Sequence, residues 1–481
     1  MDLRPLSIGL ASAENLRPED AAVAKELIAL WSDKRDRNLL RDRYYLGHVP
    51  IKDLGIAIPP EVAKKLRTRV DWPRKAVLAL ADRSQFDGFA ASDDDVAAEL
   101  LKISRANVLK TLYRRNLIGE LKHCCGFWTV TDDGSGKPVI SAYPATAACA
   151  LWDDALKAIE AGLVVVESKA QTGSNRREPT KIDVFTATDV IAFRREPGAR
   201  WTAEYRPHSM GRPLMEPMAY EPTLERPFGC SRITRTVMSL TDDAIRQRAR
   251  MEVAAEASPL PQMWLLGTAS KMTNEGNKYN ASMGAINEIT KDADGDAPTV
   301  WQSSQLSMQP HTEYFRSLAS QFNAATSVPL SSLGVVSDNP SSAEAIYAEK
   351  EDLVIAAQNL NADNAQAMRN VALLALAIAR GTDFASQRDS GVTINPRFRN
   401  PAMPSVVSQS DAVVKQVSAI PWIGETDVVL EELGYAEDQI DRMKSDKAKS
   451  QANAAVASLI APKKEEEVGG DTAQPPGLAD G

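Results

Sequence analysis

Forty consecutive residues, Ser341 to Arg380, contain neither glycine nor proline. As one helix they would extend ~60 Å. Leu353, Ala357, Leu360, Met368, Val371, Leu374 and Ile378 fall on one stripe at helical spacing. A helix of that length in a soluble protein needs partners all along its stripe. A lone compact domain rarely supplies them, whereas a ring of identical neighbours can. Two starts compete: Asn339 as N-cap with Pro340 at the first helical position, or Ser341 and Glu344 as a capping box one turn in.

The segment before it is built to connect. Tyr314, Phe315, Leu318, Phe322 and Ala325 mark one face of a helix over 310–327, and Val328-Pro329 ends it because a residue before proline avoids the α region. Leu330 to Asn339 reads as a polar, glycine-bearing loop. Upstream, Ser231 to Glu256 carries another helical face, Ile233, Val237, Leu240, Ala244, Met251 and Ala255, capped by Ser231 or Thr234 and ended by Pro259 and Pro261. Between the two helices lies an excursion of about fifty residues with short strands expected at 262–267 and within 298–308. Two helices flanking a polar excursion make a stalk with a tip.

The remaining chain divides by period. Pro18 to Tyr45 reads as a helix closed by Gly47, a second helix starts at Pro73, and two short helical patterns occupy 92–116. From Leu121 to about 225 the pattern is mainly β, opening with a GFWTV/PVISAYP hairpin. Short helices are expected at 408–417, 426–433 and 437–459, then a disordered-type tail over 461–481. The fold class is therefore α+β, mainly helical.

Composition narrows the function. The 43% hydrophobic and 25% charged content is ordinary for a soluble globular chain, and the longest apolar run, Val371 to Ala379, is about half a membrane span. A net charge of −8 argues against gripping nucleic acid through phosphate neutralisation. The four cysteines, Cys124, Cys125, Cys149 and Cys230, give no disulfide framework and suit a reducing compartment during folding. Catalytic and metal signatures are missing: DDGSGKPV lacks the first P-loop glycine and has Pro138 where Ser/Thr is required. The His123-Cys124-Cys125 run lacks zinc-ligand spacing and reads as core, and His48, His208 and His311 stand in no catalytic context. No catalytic residue, metal or cofactor is expected, and no membrane partner.

Three stretches in order carry a family resemblance: YYLGH followed by VDWPRKAVLALADRSQFDGF (44–89), RPFGCSRITRTVMSLTDDAIRQRARMEVAAEASPLPQMWLLG (226–267) and VPLSSLGVVSDNPSSAEAIYAEKEDL (328–353). Together they resemble the portal proteins of tailed double-stranded-DNA bacteriophages, most closely those of siphophages infecting actinobacteria. The resemblance spans about the first three-quarters of the chain.

It implies a dodecameric ring at the unique capsid vertex of the virion, assembled in the host cytoplasm. Double-stranded DNA would pass through the ring. A large terminase and then a head–tail adaptor would dock on it, and major capsid and scaffolding proteins would surround it. By position, 1–225 would be the wing, 226–257 and 310–328 the stem helices, and 258–309 the clip. Residues 329–340 would be the tunnel loop, 341–380 a long wing/tunnel helix, 381–460 the crown and 461–481 a disordered tail.

Ser331, Ser332, Leu333, Gly334, Val335, Val336, Ser337, Asp338 and Asn339 would then surround the DNA. They are small or neutral except for Asp338, which suits a collar that must not hold phosphate. Asp242, Asp243, Arg246, Arg250 and Glu252 are candidates for ion pairs with a neighbouring stem helix, or for pairs within one helix on a solvated face. Lys271 and Lys278 of the clip would face a partner, or belong to a solvated loop. The alternatives are another head–tail morphogenesis protein, an adaptor or capsid component, or a polymer-acting hydrolase.

Overall fold

The first helix, α1 (Pro18–Tyr45), belongs to a computed structural model that describes residues 3, 8–52, 62, 65–170, 177–195, 200–257, 263–266, 299–302, 307–335, 343–402, 406–435 and 437–460. Proline at its start removes no needed hydrogen bond, and Glu19 and Asp20 lie in the positive first turn. It closes as the sequence predicts. Gly47 takes φ +65°, and the His48 amide donates to the Arg43 carbonyl at 2.8 Å.

Helix α2 (Trp72–Ala81), strand β1 (Phe86–Ala91), α3 (Asp94–Ala106) and α4 (Leu109–His123) follow. Asp93 caps α3, its carboxylate accepting from the Val96 amide at 3.0 Å. Strands β2 (Cys125–Asp132) and β3 (Pro138–Pro144) form the expected hairpin. β4 (Ala148–Asp153), β5 (Ala158–Ala170), β6 (Arg177–Phe185), β7 (Asp189–Arg194) and β8 (Thr202–Pro207) build a five-stranded antiparallel sheet in chain order. β9 (Met215–Ala219) returns to the free edge of β2.

Alternation decides how this sheet is covered. Ala161, Leu163 and Val165, Ile182 and Val184, and Ile191 and Phe193 turn to one face, where they meet Leu27, Ile28 and Trp31 of α1. Their neighbours Val164, Phe185 and Val190 turn to the other face and enter the main core. Both faces are thus apolar, which accounts for near-continuous burial along β7. Trp31 is wholly buried yet donates its indole N–H to the Thr146 carbonyl at 3.3 Å.

Helix α5 (Arg235–Ala257) begins at Thr234, whose hydroxyl accepts from the Val237 amide at 3.2 Å. Ser231, the competing cap, instead donates to the Lys122 carbonyl at 2.6 Å. β10 (Met263–Leu266) pairs antiparallel with β11 (Thr299–Gln302), Met263 opposite Gln302. The chain then returns along α6 (Gln309–Thr326).

The long helix, α7 (Ala343–Arg380), is continuous over 38 residues. Every member of its expected stripe is buried, and from Val371 to Ala377 the helix is buried on all sides. Strands β2, β3 and β9 pack along it, together with α8 (Phe384–Arg388) and β12 (Ile394–Phe398). A lone compact domain rarely supplies such partners; here the one chain supplies them along this half, through the strands packed on it. β12 pairs with β1, and the first compact unit runs Met1–Ala402.

The second unit, Met403–Gly481, contains α9 (Val406–Ala419), α10 (Asp427–Glu432) and α11 (Glu437–Ile460). Val413, Val429 and Ile440 are buried, and Lys444 pairs with Asp427 at 2.5 Å. The tail expected over 461–481 lies outside the described residues.

Candidate functional site

The pair α5–α6 and the turn after it form the candidate site. A polar contact ties the two helices to each other, and an aromatic cluster seats α6 on α2. Gln247 donates to the His311 carbonyl at 3.0 Å, and Trp72 of α2 sets its ring 5.3 Å from Phe315 and 5.1 Å from Phe322. At the base of the pair, Arg232 is buried with every nitrogen engaged. It donates to the Ala76 carbonyl at 2.7 Å, the Tyr220 hydroxyl at 2.9 Å and the Thr326 carbonyl at 2.5 Å. The expected α6 face is only partly right. Leu318 and Phe322 are buried, but Tyr314 is 48% exposed and Ala325 is exposed, while Ala319 takes a core position.

The turn follows from backbone chemistry. Ser327 adopts φ +53° and ends α6, and Asn323 secures it by donating its amide to the Val328 carbonyl at 2.8 Å. Pro329 then starts a single 3-10 turn, Leu330–Leu333, closed by Gly334 at φ +82°. Leu333 is buried and Val335 half-buried, whereas Ser331, Ser332 and Gly334 are exposed. Of the nine expected loop residues, the exposed ones described here are thus the two serines and the glycine. Val336, Ser337, Asp338 and Asn339 lie outside the described residues, as do Lys271 and Lys278. Sequence reading missed what stands behind the turn: Ser332 and Gly334 share a cleft with Arg69, Arg74, Lys75 and Arg248.

The charged candidates on α5 are engaged mostly within the chain. Asp242 accepts from the Tyr44 hydroxyl at 2.9 Å and from Lys52 at 2.6 Å. The hydrogen bond to Asp242 holds the Lys52 ammonium above its usual range, whereas Tyr44 is pushed up mainly by burial. Asp243 pairs with Arg246 one turn on, and Glu252 lies 3.7 Å from Arg248 and accepts from Thr68 at 2.8 Å. Arg250 forms no ion pair with a described residue.

In DDGSGK, Asp132 accepts from the Gly134 and Gly136 amides at 2.9 and 2.8 Å, and Asp133 from Ser135 at 2.8 Å. The amides that a phosphate would need are already taken by carboxylates. Among the described residues no group of His, Cys, Asp and Glu is arranged to hold a metal, and no helix is long and apolar enough to cross a membrane.

A family model described as phage portal protein, SPP1 Gp6-like, matches residues 24–453. The chain belongs to this phage portal family. The portal chain is 25% identical over 412 residues to the portal protein of Mycobacterium phage L5, covering 82% of each. It is 24% identical over 442 residues to that of Mycobacterium phage D29, covering 88% of each. A chain in the neck of the empty gene transfer agent particle overlaps it with a TM-score of 0.43 at 12% identity, over 80% of this chain and 90% of that one. The family and its actinobacterial phage relatives are those the three sequence stretches implied. The role of Arg232 escaped sequence reading. One arginine among 56 basic residues gives no local sign that three distant acceptors converge on it.

Proposed function

We propose that this portal chain assembles into a closed dodecameric ring at one capsid vertex and that double-stranded DNA passes through its central hole during packaging and ejection. The observation that carries the reading is the out-and-back path of the chain. It runs along α5, pairs β10 with β11, and returns along α6 to a compact turn whose exposed groups are Ser331, Ser332 and Gly334. The exposed groups of the turn itself, two hydroxyls and a glycine, carry no charge to hold phosphate, while the cations Arg69, Arg74, Lys75 and Arg248 stand in the cleft behind it, and a ring of copies each at −8 disfavours adsorption.

In this reading the ring is a structural conduit, and the work of translocation comes from a docked large terminase. The segment assigned as the clip, 258–309 with Lys271 and Lys278, is the proposed docking partner of the terminase and later of the head–tail adaptor. Major capsid and scaffolding proteins contact the outside of the ring. Of the five charged α5 candidates, Arg250 is the one left for a neighbouring copy, because Asp242, Asp243, Arg246 and Glu252 are engaged with described residues of the same chain. Removing residues 262–305 tests the assignment. Rings should persist in negative-stain images while terminase binding is lost; a deletion that leaves terminase binding intact contradicts it.

A further inference from the structure

We propose that Cys124 and Cys230 are a paired redox site that closes to an intramolecular disulfide when the protein meets an oxidising medium.

The backbone brings the two together. Tyr220 donates its amide to the Cys124 carbonyl at 2.9 Å, and its carbonyl accepts from the Cys230 amide at 2.7 Å. Cys124 and Cys230 are thus both held by the backbone of the one residue Tyr220, and the two thiols lie close enough for the charge of one to act on the other. Approach is close on the Cys230 side: Gly229 has φ +67°, and a Cβ there would lie 2.1 Å from the Tyr220 carbonyl oxygen. Cys124 itself holds φ +91°, the left-handed region that side chains rarely adopt, directly after α4.

Their surroundings separate these thiols from the other two. Both line one open cleft of ≈ 950 Å³ beside α1 and are half-exposed, whereas Cys125 and Cys149 are buried. An arginine touches each sulfur: Arg41 Nη1 lies 3.0 Å from Cys124 Sγ and Arg226 Nη1 3.8 Å from Cys230 Sγ. At Cys124 the Arg41 guanidinium favours the thiolate, which is the attacking species. Burial pushes the Cys124 thiol up against the pull of Arg41, so the reaction should accelerate as pH rises above neutral.

With oxidised glutathione as oxidant the step balances. One cysteine thiolate attacks the glutathione disulfide and releases a glutathione thiolate. The second cysteine thiolate attacks the protein sulfur of that mixed disulfide, forming Cys124–Cys230 and releasing the second glutathione. Two protein thiols are oxidised and one glutathione disulfide is reduced. The bond would tie the connector entering α5 to the end of α4. It would stay open in a reducing cell and close outside it.

The test incubates the purified full chain with oxidised glutathione at pH 7 and pH 8, alkylates the remaining thiols, and maps non-reduced peptides with fragmentation. The expected result is a Cys124–Cys230 link that forms faster at pH 8, is reversed by dithiothreitol, and raises the thermal midpoint by about 4 °C or more. That rise should vanish in Cys230→Ser. Full alkylation of both residues after oxidant, a Cys124–Cys125 or intermolecular link, or a link without a rise in midpoint would each overturn the proposal. The wild-type map needs no variant to fold.

Discussion

Arg232 donates to the Thr326 carbonyl at 2.5 Å, tying the approach to α5 to the last turn of α6 across 94 positions of sequence. Carbonyls at a helix end have no partner within the helix, so a buried end needs an outside donor. The planar fork of arginine spreads its donors over three separated acceptors, a reach that the single nitrogen of an ammonium does not match. Arg232→Ala is expected to cost about 3 kcal/mol of folding stability, since it removes three buried charge-assisted hydrogen bonds and leaves the Thr326 carbonyl at the end of α6 without this donor. Arg232→Lys should lose a large part of the same amount. Urea denaturation of the purified chain measures both, and a midpoint unchanged in Arg232→Ala would show that the tie carries no stability.

Glu120 of α4 contributes a pH dependence to folding. Its side chain is fully buried against α7, where Asn364 donates to one carboxylate oxygen at 3.2 Å and the other has no partner among the described residues. Burial pushes its pKa well above the usual range, opposed by the Asn364 hydrogen bond. The folded state therefore holds a proton that the unfolded state releases near pH 4.5. Stability from this group is present below that pH and is lost as pH rises toward the raised folded pKa. Glu120→Gln should flatten that slope and leave the chain at least as stable at pH 8. A slope identical in wild type and variant would exclude Glu120 as its source.

Leu374 and Tyr314 should separate folding from assembly. Leu374 is wholly buried in α7, and Leu374→Ala should cost about 2–5 kcal/mol. Tyr314 is 48% exposed on α6, so Tyr314→Ala should change the stability of the single chain by about 0.5 kcal/mol or less. In a ring the same ring-bearing side chain would face a neighbour, and the substitution should lower the fraction of assembled particles in sedimentation. Assembly unaffected by Tyr314→Ala would place that face away from the subunit contact.

Gly229 has no freedom to change. At φ +67° and 2.1 Å from the Tyr220 carbonyl, Gly229→Ala meets both backbone strain and a collision. It should lower the thermal midpoint by several degrees, at about 2 kcal/mol or more. A midpoint equal to wild type would mean the turn repacks.

Local rules made the helices legible. Pro18 and Gly47 bracket α1, and the absence of breakers across 341–380 gives α7. The β-rich stretch was visible as alternation, but its order was not. Return of β9 to β2 and pairing of β1 with β12 depend on contacts far apart in sequence. The same distance hid the partners of the site residues. Asp242 reads as one of a charged series on a helix, yet its partners Tyr44 and Lys52 come from 198 and 190 positions away. Leu333 reads as a loop residue because its neighbours are serine and glycine, while the 3-10 turn rotates it into the core.

Imaging purified particles by electron microscopy, at a resolution that assigns symmetry and chain path, tests the ring most directly. The expected result is a closed ring with a central hole, with Ser331 and Ser332 of each copy nearest the axis. Monomers or dimers at every concentration and salt, or a ring whose residues 331–334 face away from the hole, would contradict it.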